Sequence, residues 1–393
     1  MQKGKKGYKN PAKVEVIVCI VCFSGIFLRY LAMSLGHNFD FESYCIVGEI
    51  ASRLGNVYAQ TSRYNYSPAF LCIQGICYGI SQWLSLDPLP VYRVCIVGIL
   101  TIADLGIACW IRYRYSLWLG IVFFLNPVSI IITGYHNQFD NIAVLFALLS
   151  CNFYNEAEDF HKKDALFVAL LTASLLIKHI FWVFPFWILV NRNLPFRKKI
   201  VYTFVPPIVF LMSFVPFAAG NEEAFDGIVH NVFLYRSFNN SPLLASFFHM
   251  VKLPNQYWFV VFMAAMLLFA FAVRGQSFEY QVCLYLLSVV SFSSSIANQY
   301  LAICVAALCI VSRGICRYCY FAVAGLYLVL HTDGLGFLTK LEQTAVPDIF
   351  FRAVSVLNRE AYFISAFILA ILLAREILDM HKLNYKSRIL RYL

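Results

Sequence analysis

The sequence predicts an all-α polytopic membrane protein with about 11–13 transmembrane helices and long non-cytoplasmic loops that carry amphipathic helices. Three observations predict it. Of the 393 residues 61% are hydrophobic and only 13% are charged, against about 25% charged in an ordinary soluble domain. Apolar stretches long enough to cross, or nearly cross, a bilayer recur along the whole chain. The bases gather in short segments beside those stretches, "MQKGKKGYKNPAK", "NRNLPFRKK" and "HKLNYKSRILRYL", as lysine and arginine do where they mark cytoplasmic loops. The excess of 31 bases over 21 acids therefore reads as an orientation signal and not as a nucleic-acid surface.

In chain order the apolar stretches are 14–34, 68–86, 91–111, 115–133, 140–154, 164–190, 200–219, 256–273, 279–294, 298–313, 316–331 and 360–376. A perpendicular helix needs about 20 residues to cross. The first stretch meets that length and is followed by no small-residue cleavage site, so it is expected to stay as the first helix. The 164–190 stretch is long enough for two pieces. Between 67 and 134 either one stretch is re-entrant or horizontal, or Asn126-Pro127 breaks 115–133 into a hairpin. Three polar connections, 35–67, 220–255 and 332–359, exceed the ~12–15 residues of an ordinary loop and are rich in aromatics. Counted from the basic N-terminus, from "RKK" at 197–199 and from the C-terminal bases, all three fall on the non-cytoplasmic face. "GYHNQFD" is expected on that same face and "EAEDFHKKD" on the cytoplasmic one. No soluble domain and no internal repeat of the duplicated-transporter kind is seen. The thirteen cysteines lie mostly in apolar runs and read as small hydrophobes, Cys19-x-x-Cys22 and Cys316-x-x-Cys319 included.

Candidate chemistry gathers near the non-cytoplasmic face. From Asp40 to Leu54 the apolar and aromatic residues recur at helical spacing, so this segment is expected to be a short amphipathic helix in the interface. Asp40 sits at its start, where an acid suits the helix dipole or acts as an N-cap, and Glu42 and Glu49 are expected to share one face. "GYHNQFDN" places His136, Gln138 and Asp140 at the start of another membrane helix. Lys178 and His179 stand inside "LLIKHIFWVFPF", and a lysine at that depth costs about 2.5–3.5 kcal/mol on insertion scales, which makes it a functional-site candidate; the alternative, if the run breaks there, is a helix-end lysine that snorkels to the interface. Asp104, equally expensive, reads as the structural partner of a nearby donor. Asn298 and Gln299 lie near an outer boundary. A carboxylate, a buried lysine, histidines and amides near one face suit a reaction between a polar substrate and a lipid-linked anion.

The order of these motifs resembles the GT-C superfamily of integral membrane glycosyltransferases. It is most similar to the glucosyltransferases of asparagine-linked glycosylation that use dolichyl-phosphate glucose. The family's G-D-Y-E-A-x-R-H-W-x-E-I pattern is met by Asp40-Phe41-Glu42-Ser43 and Glu49-Ile50, and its aromatic-D-Y-P-P by Tyr64-Asn65-Tyr66-Ser67-Pro68. Its R-x-x-V-L-I-A-D-L is met by Arg93 and Ile102-Ala103-Asp104-Leu105. Its Y-P-G-L-I-L-I-D-Y-G-H-F-Q-Y-N is met by Asn126-Pro127 through Asp140, and its Y-K-Q-M by Ile177-Lys178-His179. These five motifs cover roughly residues 36–190. Beyond 220 the match thins: Asn298-Gln299-Tyr300 stands where the family carries H-E-K, removing a histidine and a lysine.

The resemblance implies a GT-C fold with a catalytic module over 1–220 and a variable helical module over 221–393. It implies inverting transfer of a hexose, glucose or mannose, from a polyprenyl-phosphate sugar donor to a lipid-linked glycan acceptor. Asp40 would be the general base. Glu42 would bind sugar hydroxyls, His136 and Gln138 would line the sugar site, and Lys178 and Arg236 would face the phosphate. Glu49, Tyr66, Asp140, His179, Asn298 and Gln299 complete the expected substrate-binding set, and an apolar groove would hold the isoprenoid tail. No cofactor and no metal ligands are assigned. The partners are the two lipid-linked substrates and the bilayer, without nucleic acid. The setting is the endoplasmic reticulum membrane or a bacterial inner membrane, with the site on the non-cytoplasmic side. The rival class is a transporter or flippase of lipid-linked oligosaccharide. A polysaccharide polymerase or O-acyltransferase is the third, with "HTDG" at 331–334 as its only cue.

Overall fold

The computed structural model describes residues 11–85, 87–235, 257–293, 297–312, 314–331, 334–344 and 347–392, and among these all regular structure is helical. Four helices are long and apolar enough to cross a membrane: Ala12–Ser34, Pro88–Arg114, Phe196–Ala218 and Asp348–Asp379. A fifth crossing results if the bent pair Leu117–Phe124 and Pro127–Gly134, which meet at 46°, is one broken span. Five further apolar helices have 10–17 residues. The chain is thus all-helical among the described residues, with four to five helices that could span a membrane, as suits an integral membrane protein.

That number is lower than the 11–13 crossings expected from the sequence, because several apolar stretches are broken by local chemistry. The 115–133 stretch divides into α6 (Leu117–Phe124) and α7 (Pro127–Gly134). Asn126 caps α7, its Oδ1 accepting from Val128 N at 2.9 Å, and Pro127 fits the first turn because it has no N–H to satisfy there. The 164–190 stretch divides at Lys178, whose extended backbone (φ −151°, ψ 132°) ends α9 (Lys162–Ile177) before a short 3-10 turn, His179–Phe181, and α10 (Phe184–Val190). The 298–313 stretch splits at Cys304 into Tyr300–Ile303 and Val305–Val311. The connection at 332–359 is not a loop throughout: it contains the helix Phe337–Glu342 and the first turns of the helix Asp348–Tyr392. Most of the 220–255 connection, from 236 onward, lies outside the described residues.

Three elements set the site. The connection 35–67 holds α2 (Phe39–Ser52), one residue from its expected start and two from its expected end, and α3 (Val57–Gln60), and then leads to α4 (Pro68–Leu84). α8 (Asp140–Ser150) and α9 pack side by side. The start of α8 and the end of α9 therefore share one end of the bundle with α2. The opposite end holds the Asp164–Lys198 ion pair, 2.7 Å long and buried.

Beneath the site the bundle is pinned by a buried pair. Arg29 on α1 (Pro11–Ser34) meets Asp104 on α5 (Pro88–Arg114) at 2.8 Å, both fully buried. Asp104 also accepts from Ser129 at 3.1 Å, Thr133 at 2.7 Å and Asn141 at 2.6 Å, while Arg29 donates to the carbonyls of Gly25 and Phe124 at 3.0 Å each. A buried charge is tolerated when its lone pairs and protons are all met in this way. Asp104 is therefore the structural partner that its position suggested. α1 approaches α7 so closely at Gly134 that a Cβ there would collide with the Arg29 carbonyl and Ala32, so only glycine fits.

Candidate functional site

α2 determines which acids enter the site. Phe41, Ser43, Tyr44, Val47 and Gly48 are buried, and Asp40 lies on the side of Tyr44 and Val47, one and two helical turns away. Asn38, rather than Asp40, is the N-cap residue, yet its side chain makes no capping bond. Instead Asn38 Nδ2 donates to Asp40 Oδ2 at 3.1 Å and contacts His136 Nδ1 at 3.1 Å. Glu42 and Glu49 share a face as expected, but it is the outer one. Glu42 stands 3.9 Å from Arg63, and Glu49 pairs with Arg53, their side chains 57% and 45% exposed. The helical period sends positions 42, 46, 49 and 53 away from position 40, so neither glutamate joins the cluster.

The loop between α7 and α8 supplies the next groups. Asn137 adopts a left-handed backbone (φ 57°), a conformation that asparagine reaches more readily than most residues. Its side chain locks the turn, donating to Gly134 O at 2.7 Å and accepting from Arg93 Nε at 3.1 Å. His136 and Gln138 on either side of it both reach α2. Gln138 Nε2 donates to Asp40 Oδ2 at 2.5 Å, while Gln138 Oε1 accepts from Tyr44 Oη at 3.2 Å and from Lys178 Nζ at 3.4 Å. With two donors on its oxygen, the amide is fixed with its nitrogen toward the carboxylate.

α9 ends where Lys178 enters the same cluster. Its ammonium pairs with Asp140 Oδ2 at 2.6 Å, both side chains at most 3% exposed. Three rings surround it, Phe139 at 4.7 Å, Tyr66 at 5.2 Å and Tyr300 at 6.0 Å, a favourable setting for a cation. The Tyr66 ring also packs edge-on against Phe139 at 4.8 Å and lies 6.0 Å from the ring of His179. The result is a continuous chain from Asp40 through Gln138 and Lys178 to Asp140.

Asp40 Oδ2 thus holds two amide donors, and Oδ1 accepts no hydrogen bond from a described residue. Burial pushes the Asp40 carboxyl above the usual carboxylate range; Lys178, Asn38 and Gln138 pull it back, and Asp140 adds to the rise. Burial also pushes the His136 imidazole down to about 3, with nearby His331 opposing a second positive charge, so His136 is neutral around pH 7. Among the described residues, four buried polar atoms in this region have no hydrogen-bond partner: Asn38 Oδ1, His136 Nε2, Asp140 Oδ1 and His179 Nδ1. Native interiors rarely leave such atoms unpaired, so a cluster of them marks a place for a polar ligand.

Of the residues singled out from the sequence, Asp40, Tyr66, His136, Gln138, Asp140, Lys178 and His179 come together. Asn298 stands one network away, accepting from Tyr327 Oη at 2.6 Å and meeting His331 Nδ1 at 3.1 Å. Gln299 adjoins Tyr300 of the cage, and Arg236 lies outside the described residues. Asn38, Tyr44, Asn137 and Tyr300 were not singled out. For Asn38 a cue existed, an Asn-x-Asp at a helix start, but it reads as ordinary capping. Among the described residues no group of three or more His, Cys, Asp or Glu side chains is arranged to hold a metal ion. No family model matches the chain, and no curated protein matches it.

Proposed function

We propose that the chain is an integral membrane glycosyltransferase of the GT-C type, moving a hexose from a polyprenyl-phosphate donor to a hydroxyl of a lipid-linked glycan acceptor on the non-cytoplasmic face. The observation that carries this reading is the state of Asp40. Its Oδ2 is held by Asn38 and Gln138, Oδ1 accepts no hydrogen bond from a described residue, and the charge of the buried Lys178 acts on the carboxyl. A general base needs a fixed carboxylate with one free oxygen about 2.6–3.2 Å from the proton it takes. Its pKa is better matched to neutral pH when burial raises it.

In the reaction the acceptor hydroxyl gives its proton to Asp40 Oδ1 as its oxygen attacks the anomeric carbon. The bond from that carbon to the phosphate oxygen breaks, and polyprenyl phosphate leaves from the opposite face with inversion. Lys178 enters as half of an ion pair with Asp140 and makes a long contact to Gln138, so of its three N–H donors one is left for the phosphate. An apolar groove between α9 and α11 (Phe196–Met212), lined by Val168, Ala169, Thr172, Leu176, Val201 and Val205, ends two residues from Lys178 and suits the isoprenoid chain.

The test is a transfer assay in detergent or liposomes with polyprenyl-phosphate glucose, mannose and galactose as donors, comparing wild type with Asp40→Asn. Transfer from one of these donors is expected. General-base catalysis is worth about 10²–10⁴-fold, so the variant should lose at least about a hundredfold in turnover while remaining folded. Near-normal turnover removes Asp40 as the base.

A further inference from the structure

We propose that His136 reads one hydroxyl of the transferred sugar through its Nε2–H, and that Asn38 is a positioning residue that holds His136 in that tautomer beside Asp40. This rests on the glycosyl-transfer reading and assigns the sugar's place within that site.

The argument begins with the two hydrogens on Asn38 Nδ2. One points to Asp40 Oδ2 and the other to His136 Nδ1, each at 3.1 Å. An amide nitrogen only donates, so Nδ1 accepts and the ring proton sits on Nε2. Turning the Asn38 amide over would set its carbonyl against the Asp40 carboxylate, which excludes the alternative. His136 is 1% exposed and its Nε2 has no hydrogen-bond partner among the described residues. A donor with a fixed proton, closed off from water and unanswered by any described residue, is a group kept for a ligand acceptor.

The chemistry of the neighbours selects the ligand. Asn38 Oδ1 has no partner among the described residues and Asp40 Oδ1 accepts from none of them, so the surroundings of His136 offer one donor and two acceptors. Hydroxyl groups, which both donate and accept, answer that set. An anion at this end would face the Asp40 carboxylate, whereas Lys178, paired with Asp140, lies on the far side of Gln138. The neutral sugar therefore belongs at His136 and the phosphate toward Lys178. A structural histidine would only tie the α7–α8 loop to α2, and would have no reason to leave Nε2 unpaired.

The test is a cycle between protein and substrate. Wild type, His136→Leu and His136→Gln are assayed with the polyprenyl-phosphate hexose that wild type uses and with its 2-, 3-, 4- and 6-deoxy analogues. One analogue is expected to cost wild type about tenfold or more in kcat/KM, because a site built to bond a hydroxyl rejects the analogue that lacks it. His136→Leu should cost a similar factor on the parent donor, and the two losses combined should be no larger than either alone. His136→Gln, which returns an N–H near the place of Nε2, should recover part of the loss. If the leucine variant does not fold, His136→Asn takes its place in the same cycle. Losses that multiply at every ring position overturn this proposal and leave glycosyl transfer standing. Absence of transfer by wild type from every polyprenyl-phosphate hexose overturns the glycosyl-transfer reading, and the proposal with it.

Discussion

Lys178→Met isolates the ion pair at the centre of the site. Lys178 and Asp140 lie 2.6 Å apart with side chains 3% and 1% exposed. Removing the ammonium leaves a buried carboxylate that has lost its partner on Oδ2 and has none on Oδ1. Breaking one side of such a pair costs about 3–5 kcal/mol. Asp140→Leu should cost less, because the stranded ammonium keeps the Tyr66, Phe139 and Tyr300 rings and the Gln138 oxygen. The double variant should return to within about 1–2 kcal/mol of wild type, since replacing both charges by apolar groups of similar volume is often neutral. The assay is equilibrium unfolding of the four proteins in detergent micelles, followed by tryptophan fluorescence. A loss below about 1 kcal/mol for Lys178→Met, or a double variant as unstable as the worse single one, would refute the reasoning. Either result would mean that the lysine carries its charge in contact with water or lipid headgroups.

Two further expectations concern the groups around that pair. Asn38→Ala removes a hydrogen bond that favours the ionised form of Asp40. The carboxyl pKa therefore rises further, and the base, active only when ionised, is lost at a higher pH. The acid limb of the kcat/KM profile should move upward, with α2 intact because Asn38 makes no capping bond; an unmoved limb would deny that Asn38 tunes Asp40. Arg29→Leu should destabilise the fold by about 3–5 kcal/mol by stranding Asp104, with donor KM unchanged in the protein that remains folded; a selective rise in KM would move this pair into the site.

How much of the site could be read in the sequence depended on the range over which its chemistry acts. The helical period predicted α2 from residue 40 to 54, and it formed at Phe39–Ser52. The cost of a lysine in an apolar run singled out Lys178, and the structure shows the carboxylate that answers it. The same period did not tell which face of α2 turns inward. Asp40 and Glu42 are equally acidic and two residues apart, and packing of Phe41, Tyr44 and Val47 against the bundle takes one in and leaves the other out. Asn38 was hidden for a related reason: an asparagine before a helix is what capping predicts, and only the arrival of His136, 98 residues later, redirects its side chain. Asn137 was likewise a plain loop residue until its left-handed backbone aimed His136 and Gln138 at α2.

The sequence by itself determined the solvent. Its scarcity of charge and its recurring apolar runs require helices in a bilayer, because backbone groups in hydrocarbon must bond within their own segment. It also determined which polar residues were too costly to be incidental. The tertiary structure alone decided how those residues pair: that Asp104 is spent on Arg29, that Lys178 is shared between Asp140 and Gln138, and that one oxygen of Asp40 takes no hydrogen bond from a described residue. Insertion cost is a property of one residue and its neighbours in the chain, whereas pairing is settled by which buried partner lies within about 3 Å after the helices have packed.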